Sequence, residues 1–376
     1  MKQDWKFGVL DDAVDRGSSN ISLNKIKDDD GEFPVFGAKG FIQNASFYQQ
    51  ENQYLAIIKD GAGIGRVSTH PEKSSVLATM QYILPKQSYD IKFLYYFLNS
   101  IDFNKYRTGS TIPHIYYKNY KLEPFPLVSK EEQKQIVAKL DQCFEAIDKA
   151  KANAAKNLEN AKELFQSKLN DIFSQKGEGW VEKKLGQIGT LTSSKRIYKK
   201  EYVSEGVPFY RSKEIKELAH NNDISLELYI TEDRYEEIKS RFGIPEEGDI
   251  LLTAVGTIGE MYVVKSNERF YFKDGNIMWL KDFSSLNSYY LKYALTFFVE
   301  QLKAMSQGSA YSALTIEKLK EYSIPVPSIS KQEWIIKQLD TLKEQTQSLE
   351  SKYQQELNSL EELKKSILQK AFEGEL

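Results

Sequence analysis

The chain has 376 residues, of which 41% are hydrophobic and 28% are charged. At roughly 100–200 residues per domain, this length predicts two globular units plus an extended part. The single cysteine, Cys143, excludes a disulfide framework and is expected to be a small core residue. The three histidines lie far apart in sequence, which argues against a metal site. No apolar run reaches the roughly 18 residues of a membrane span, and the first residues lack signal-peptide character, so we expect a cytoplasmic protein.

The net charge of −2 is spread over the chain without a strongly basic segment. It is +2 for residues 1–130, −1 for 131–179, −1 for 180–330 and −2 for 331–376. Binding to nucleic acid would therefore depend on local cationic patches, because general attraction to phosphates would be weak. A partner could supply further positive surface.

The first 128 residues predict a domain of mixed strands and helices. A short apolar strand, 55–58, runs into a glycine-rich turn, 60–65, and a return strand begins at Arg66. The turn resembles a nucleotide-binding glycine loop, which needs a helix directly after it to present backbone amides. Pro71 follows too soon for that helix. The spacing therefore favours a structural hairpin over a cofactor site.

An aromatic segment, 91–98, and a polar loop, 106–114, follow in the same domain. The mixed apolar face of the aromatic segment indicates a core helix rather than a ligand cage. In and after the loop, Arg107, Ser110 and Lys118 are side chains of the kind that contact phosphates and base edges. A solvated surface loop would look the same, so both interpretations stay open here.

Residues 129–177 and 330–376 each predict one long helix. Each begins just after a proline, at a capping-box pattern headed by Ser129 or Ser330, and each is followed by a glycine. Apolar residues recur at a mean period of about 3.5, which is typical of paired helices. At roughly 1.5 Å per residue, each helix would be about 60 Å long. A dimerisation arm would carry this pattern too, but two matched helices in one chain favour intramolecular pairing. The predicted helix-pair core is Val137, Leu140, Phe144, Ile147, Leu158, Phe165, Ile335, Leu339, Leu342, Leu349, Leu360 and Leu363.

The two long helices are copies of one segment. A constant shift of 199 residues aligns Pro126 with Pro325 and Gln133 with Gln332. The domains repeat more faintly, with a shift of 174 or 175 near their first residues and 194 at the glycine turns, so the second copy carries about twenty extra residues. Such duplication predicts two copies of one structural unit.

The second copy of the domain, residues 178–329, repeats the strand, glycine turn, aromatic helix and polar loop of the first. It adds clustered cations at Lys195-Arg196 and Lys199-Lys200, which are either solvated surface or DNA-facing groups. The DNA-contact residues predicted from charge, hydroxyls and loop position in both copies are Lys39, Lys59, Arg66, Arg107, Ser110, Tyr117, Lys118, Lys195, Arg196, Lys199, Lys200, Arg211, Lys213, Ser309 and Tyr311.

Together these motifs resemble the specificity (S) subunit of a type I restriction-modification system, over essentially the full length. The resemblance is carried by a Trp-x4-Leu opening of each domain, the glycine turns, the polar Gly-Ser loops and a Pro-x6-Gln-x2-Ile-x3-Leu-Asp entry to each long helix. That entry is Pro126, Gln133, Ile136, Leu140 and Asp141 in the first copy and Pro325, Gln332, Ile335, Leu339 and Asp340 in the second. The capping box of the second helix departs from the first by two residues.

The resemblance implies an α+β protein with two target-recognition domains, 1–128 and 178–329, and two long helices that form an antiparallel coiled coil. Each domain would read one half of a split, asymmetric DNA site, and the helix pair would set the half-site spacing and dock two methylation (M) subunits. It implies no catalysis and no cofactor in this chain. S-adenosylmethionine, ATP and Mg would bind to the M subunits and to added restriction (R) subunits.

Other classes of protein explain the sequence less well. A DNA amino-methyltransferase would need an Asn- or Asp-Pro-Pro-aromatic motif, and the chain has no Pro-Pro pair. A metal-dependent nuclease needs clustered carboxylates with a nearby lysine, for which Asp249 and Glu260 are the best candidates. A coiled-coil scaffold, or a DNA-binding module without a restriction-modification role, remains the alternative.

Overall fold

The computed structural model describes residues 5–175, 177–255, 258–305 and 314–375, without the side chains of residues 302–305. The chain forms two compact units. The first unit consists of Met1–Asn157 and Lys352–Leu376, and the second of Leu158–Ser351. Both long helices therefore contribute residues to both units.

The first unit begins with the recognition domain predicted from the sequence and continues into the first long helix. In chain order its elements are β1 (Phe7–Val9), α1 (Leu10–Ala13), β2 (Val14–Ser18), α2 (Leu23–Ile26), β3 (Phe33–Gly37), β4 (Gly40–Ala45), β5 (Tyr54–Ile58), β6 (Val67–His70), β7 (Ser75–Val76), β8 (Met80–Pro85), α3 (Ile91–Ser100), a 3₁₀ helix (Phe103–Tyr106), α4 (Tyr117–Tyr120), β9 (Pro124–Pro126) and α5 (Lys130–Ser174).

Three small sheets build the first globular domain. One has the strand order β2-β8-β5-β6, with every pair antiparallel, and another has the order β4-β3-β7, in which β3 and β7 are parallel. The third pairs β1 with β9, so that the start of the domain is fastened to the strand just before the long helix. The aromatic helix α3 lies in the core with Phe93, Leu94 and Phe97 buried, as the sequence predicts.

The second unit repeats the order of the strands and continues into the second long helix. Its elements are β10 (Val181–Lys184), α6 (Leu185–Ile188), β11 (Thr190–Thr192), a 3₁₀ helix (Lys199–Glu201), β12 (Val207–Tyr210), α7 (Ser212–Ala219), β13 (Tyr229–Ile230), α8 (Glu232–Phe242), β14 (Ile250–Thr253), β15 (Met261–Val263), β16 (Tyr271–Phe272), β17 (Ile277–Lys281), α9 (Ser288–Met305), α10 (Ile316–Glu321), β18 (Ser323–Val326) and α11 (Ile329–Phe372).

The sheets of the second unit have the same topology as those of the first. The strand orders are β11-β17-β14-β15 and β13-β12-β16, with β12 and β16 parallel, and β10 pairs with β18. The main difference between the two units is the connection between the first two strands of the three-stranded sheet. In the first unit β3 and β4 are joined by a tight turn, whereas α7 separates β12 from β13 and α8 follows β13. These two helices account for the extra residues of the second copy.

The long helices are antiparallel where they meet in the first unit. The ammonium of Lys364 lies 3.2 Å from Asp148, and Lys151 pairs with Glu361, so residue numbers fall along α11 as they rise along α5. Phe372, at the end of α11, packs its ring edge-to-face on Phe93, with ring centroids 5.2 Å apart. The prediction of an antiparallel helix pair is confirmed.

Most of the predicted helix-pair core is buried or half-buried, with one error. Leu140, Phe144, Ile147, Ile335 and Leu339 are buried. The half-buried members are Val137, Leu158, Phe165, Leu342, Leu349 and Leu360. Leu363 is 47% exposed, so its assignment to the core was wrong. The 3.5-residue pattern drifts around a straight helix, which turns once every 3.6 residues, and Leu363 lies beyond the buried stripe.

The start of the second long helix was also predicted incorrectly. α11 begins at Ile329, so Ser330 lies inside the helix. The residue at its start is Ser328, whose carbonyl oxygen accepts hydrogen bonds from the amides of Lys331 and Gln332 at 2.9 and 3.0 Å. Ser328 lies 199 residues after Ser129, whose hydroxyl accepts from the amide of Glu132 at 3.3 Å. The two helices therefore begin at equivalent positions.

A buried glutamine near the start of each long helix fastens the recognition domain to it. The amide oxygen of Gln133 accepts from the backbone N–H of Asp90 at 2.7 Å, and its amide nitrogen donates to the carbonyls of Ser88 and Val128 at 3.2 and 3.1 Å. Both Gln133 and its counterpart in the second copy are 0% exposed. The side-chain amide of Gln133 thus joins three backbone groups.

The second glutamine makes the same set of bonds. Gln332 accepts from the N–H of Asn287 at 2.8 Å and donates to the carbonyls of Ser285 and Pro327 at 3.0 and 2.9 Å. About two turns further along each helix, an aspartate accepts from a tyrosine hydroxyl of the aromatic helix, Asp141 from Tyr96 and Asp340 from Tyr293. The glutamine and tyrosine–aspartate bonds that hold each domain on its helix are therefore duplicated.

Within the described residues, no helix is both long enough and apolar enough to cross a membrane.

Candidate nucleic-acid interface

The glycine turn of the first unit is a hairpin, as predicted. It joins the antiparallel strands β5 and β6, and the structure continues as a strand rather than as a phosphate-binding helix. Gly65 has φ = +83°, and a Cβ at this position would lie 2.5 Å from Cβ of Phe103. The equivalent Gly259 has φ = +99° and would place a Cβ 2.5 Å from Val299. Both turns need glycine for conformation and for space.

Three connections meet at one end of the β5–β6 hairpin. The N–H of Gly61 donates to the carbonyl of Pro113 at 2.9 Å, and the ring nitrogen Nδ1 of His114 lies 2.7 Å from Asp60. The guanidinium of Arg66 donates to the carbonyl of Ala38 at 3.2 Å. These bonds bring together residues 38–40, 59–66 and 107–114, which we call the first rim.

The first rim carries most of the DNA-contact residues predicted for the first unit. Lys39, Arg66, Arg107 and Ser110 are exposed on it, and Lys59 is half-buried. Side chains from three separate segments of the sequence thus share one surface. Its charge is mainly positive, because these segments carry Lys39, Lys59, Arg66 and Arg107 and one carboxylate, that of Asp60.

Tyr117 and Lys118 occupy different positions from the first rim. Tyr117 is only 6% exposed, and its hydroxyl donates to Asp11 at 2.7 Å. It is a core residue, so its prediction as a DNA contact was wrong. The reason is that it starts the short helix α4, whose Tyr117 and Tyr120 both belong to the buried core together with Phe125. Lys118 is exposed, with its ammonium 5.8 Å from the centroid of the Tyr116 ring.

The second unit has a corresponding surface at the same end of its hairpin. The N–H of Ala254 donates to the carbonyl of Asn276 at 2.8 Å, and the N–H of Gly275 donates to the hydroxyl of Ser193 at 3.4 Å. The guanidinium of Arg196 lies 2.7 Å from Asp274. These contacts join residues 193–200, 254–255, 258–260 and 273–276, which we call the second rim.

The cationic segment predicted from the sequence lies on the second rim. Lys195, Lys199 and Lys200 are exposed. Arg196 is exposed too, but the hydrogen bond to Asp274 raises the pKa of its guanidinium and ties it to the turn between β16 and β17. Three of the four predicted cations thus stand in solvent, and the fourth also holds the surface together.

Arg211 and Lys213 belong to an ion-pair network instead. The Arg211 guanidinium lies 2.7 Å from the buried Glu214 and 2.8 Å from Glu227, and Lys213 lies 2.9 Å from Glu227. Burial would raise the pKa of Glu214, but the hydrogen bonds from Arg211 outweigh it and lower that pKa. Both cations are engaged by protein carboxylates at the start of α7, a partnership that the local sequence did not reveal. The other two predicted contacts, Ser309 and Tyr311, lie outside the described residues.

Two exposed phenylalanines next to the rims were missed in the sequence analysis. Phe41 follows the turn of the first rim and is 60% exposed, and Phe242 is 41% exposed beside Lys195 of the second rim. Each has a cation within two residues in sequence, Lys39 or Arg241, which is a weak signal by itself.

The structure separates the carboxylates that a nuclease would need. Asp249 precedes β14 and accepts from the indole N–H of Trp279 at 2.7 Å, in a buried site that raises the pKa of its carboxyl. Glu260 lies at the opposite end of β14, 3.0 Å from the ring of His220. Among the described residues, no group of three or more His, Cys, Asp or Glu side chains is placed to hold a metal ion.

The family described as "Type I restriction modification DNA specificity domain" matches residues 2–157 and again residues 177–359. A Haemophilus influenzae protein assigned as a type I restriction enzyme specificity subunit, S.HindORF215P, is 25% identical over 85% of this chain and 82% of its own length. The EcoBI specificity subunit of Escherichia coli is 25% identical over 77% of this chain and 67% of its own length.

Solved structures show the same fold. A chain from a structure of a type I R-M system is 18% identical and superposes with a TM-score of 0.77, covering 99% of this chain and 98% of that chain. The HsdS subunit from Thermoanaerobacter tengcongensis is 18% identical with a TM-score of 0.62, covering 99% and 97%. Since the family matches both halves of the duplicated chain, this protein belongs to the type I restriction modification DNA specificity domain family.

Proposed function

We propose that this chain is the DNA-specificity subunit of a type I restriction-modification complex. The observation that carries the proposal is the duplication of a recognition domain on a common frame. Two domains of identical sheet topology are each joined to a long helix by an equivalent buried glutamine, Gln133 or Gln332. Each domain exposes its own cationic rim. Each domain would read one half of a split site, and the two rims would read different sequences because their side chains differ.

The two kinds of side chain on each rim support two tasks. Lysine and arginine contact phosphates, which positions the domain on the duplex without selecting a sequence. Hydroxyls, amides and apolar groups at base edges would select the sequence. The chain as a whole is slightly acidic, so general attraction to DNA would be weak and binding would depend on these two surfaces.

The long helices supply the remaining parts of the proposal. They would set the distance between the half-sites and present exposed faces to two methylation subunits. The chain itself would be a non-catalytic cytoplasmic protein, and S-adenosylmethionine, ATP and Mg would be held by the methylation and restriction subunits.

Methylome sequencing tests the proposal directly. The chain is expressed with its cognate methylation subunit in a host that lacks other DNA methylation, and N6-methyladenine is mapped across the genome. We expect one motif made of two different half-sites separated by an unspecified spacer. A continuous motif would contradict independent reading by the two domains. A stable complex that leaves the genome unmethylated would instead favour a coiled-coil scaffold.

A second experiment tests whether the two rims are the DNA-binding surfaces. Lys39→Gln and Lys199→Gln each remove one exposed cation, from the first and the second rim respectively. Both variants should bind DNA more weakly, with a salt dependence reduced by about one unit of slope per lost phosphate contact. Lys156→Gln, which removes an exposed cation from α5, is the control. If it weakens binding as much as the rim variants do, the rims are not the DNA-binding surfaces.

A further inference from the structure

Each rim carries one exposed phenylalanine in a cationic setting, which the proposed function does not yet use. Isolated exposed apolar residues are common on protein surfaces, so exposure alone carries no weight. Phe41 and Phe242 are exposed phenylalanines that each stand beside a rim. Each has a cation within two residues in sequence, Lys39 for Phe41 and Arg241 for Phe242.

The surroundings of Phe41 place it at the edge of the first rim. It follows the turn 38–40, and its ring packs edge-to-face on Phe36 with centroids 6.1 Å apart. This contact supports one side of the ring while 60% of the residue stays exposed. Lys39 lies in the turn, and the guanidinium of Arg66 is hydrogen-bonded to the carbonyl of Ala38.

Phe242 occupies a similar setting built from different elements. It is the last residue of α8, and Gly243, with φ = +80°, ends the helix there. The Lys195 ammonium lies 5.0 Å and the Arg241 guanidinium carbon 5.4 Å from the centroid of the ring. The guanidinium of Arg241 also forms an ion pair with the carboxylate of Glu237 at 3.1 Å. Lys195 is part of the second rim, so the ring stands at its border.

We propose that Phe41 and Phe242 are base-contacting residues of the two recognition domains. An aromatic ring flanked by cations matches duplex DNA, where apolar base surfaces and thymine methyl groups lie between rows of phosphates. The cations would hold the backbone while the ring reaches the bases, either against a base edge or as a wedge at a base step. This inference rests on the proposed function and adds two specificity-determining residues to it.

The two residues are not equivalent in the duplication. Phe41 comes from β4, whereas Phe242 comes from a helix that the first unit lacks at that point of its sequence. The same combination of groups therefore arises at both rims from unrelated elements. Each ring should act on the half-site of its own domain only.

Alanine substitutions in the complete complex test this inference. Phe41→Ala and Phe242→Ala are each assembled with the cognate methylation subunit. Fluorescence anisotropy measures the binding of each complex to a DNA duplex that contains the motif methylated by the unaltered complex, at several salt concentrations. The methylome produced by each variant is mapped in parallel. Each variant should bind about tenfold or more weakly, the usual effect of one lost base contact. The salt slope should stay unchanged, because no phosphate contact is lost.

Controls separate base contact from general damage. Leu122→Ala and Val181→Ala remove exposed apolar side chains, 64% and 55% exposed, that lie outside both rims, and these variants should read both half-sites normally. Thermal melting of every variant checks folding, which these exposed positions should leave intact. Phe41→Ala should relax the motif in one half-site and Phe242→Ala in the other.

The outcomes distinguish this inference from the proposed function. If the unaltered complex methylates a split site and both phenylalanine variants keep its motif and affinity, the inference is overturned and the function stands. Relaxation of both half-sites by a single variant would also overturn it. If the unaltered complex neither binds nor methylates a split site, the proposed function fails, and this inference fails with it.

Discussion

At the scale of single residues, the duplicated glutamines show how one side chain can fix a domain on a helix. Gln133 and Gln332 are fully buried and each joins three backbone groups from two segments. A buried polar group without a partner destabilises a protein by more than the bond itself contributes. These two glutamines therefore stabilise the protein mainly by providing hydrogen-bond partners for buried backbone groups.

Replacing Gln133 by alanine should loosen the first domain from α5. The N–H of Asp90 and the carbonyls of Ser88 and Val128 would lose their partner, which should destabilise this region by about 2–4 kcal/mol. Hydrogen exchange of the full chain should show faster exchange in α3, and Gln332→Ala should produce the same effect in α9. The exposed Gln135→Ala on the same helix is the control. Unchanged protection of α3 in Gln133→Ala would show that the bonds are dispensable.

His70 gives the first unit a specific dependence on pH. It is 5% exposed between the rings of Phe36 and Tyr54, and burial lowers its pKa to about 4 from 6.5. The unfolded chain therefore binds a proton more readily than the folded one between pH 6.5 and 4, so stability falls as pH falls through this window. From pH 7 to pH 5 the loss should be about 2 kcal/mol.

The variant His70→Gln tests this dependence, because it removes the titrating group. Hydrogen exchange of β5 at pH 7 and pH 5, corrected for intrinsic rates, should show a pH effect smaller by about that amount than in the unaltered chain. The exposed His220 serves as control through His220→Gln, which should leave the pH effect in β5 unchanged. An equal pH effect with and without His70 would refute the assignment.

At the scale of elements, the sequence predicted the kinds of elements but not all of their partners. Strand, glycine turn, return strand and aromatic helix were predicted correctly in both copies, because their signals are local patterns. Tyr117 and Leu363 were placed wrongly, because burial depends on which face of a helix meets the core. Arg211 was taken for a DNA contact because its partners, Glu214 and Glu227, become neighbours only when α7 forms and the chain turns back.

Arg211, at the start of α7, is expected to stabilise the fold, whereas Lys199 on the second rim is expected to contact DNA. Arg211→Gln would leave the buried Glu214 without its main cationic partner and should destabilise the second unit by about 2 kcal/mol, less than for a fully buried pair because Arg211 is partly exposed. Lys199→Gln should leave stability unchanged and weaken DNA binding. Thermal melting and anisotropy on both variants check this. If Arg211→Gln weakened DNA binding without lowering stability, Arg211 would contact DNA after all.

At the scale of the whole molecule, two units share two long helices. The division falls after Asn157 on α5 and after Ser351 on α11. Inserting four residues after Asp148 would lengthen the helix, but it would also shift Lys151 relative to its partner on α11. Insertions after Asn157 and after Ser351 would leave the contacts between the two helices within each unit unchanged.

A paired insertion should therefore change the spacing of the half-sites alone. Four alanines after Asn157 and four after Ser351 add about one turn, roughly 6 Å, to each helix. We expect a methylation motif with both half-sites unchanged and a longer spacer. Insertion into α5 alone is the control and should lower methylation, since it breaks the register with α11. Altered half-sites in the paired insertion would show that the helices do more than set spacing.

The amino-acid sequence by itself determined the duplication, the long helices, the hairpin at each glycine turn and the family resemblance. These features follow from periodicity, spacing and conformational preference, which act over a few neighbouring residues. Only the tertiary structure decided which cations share a rim, which are engaged by carboxylates, and which aromatic side chains are exposed beside them. Those properties depend on segments far apart in the chain, and local sequence does not record where such segments meet.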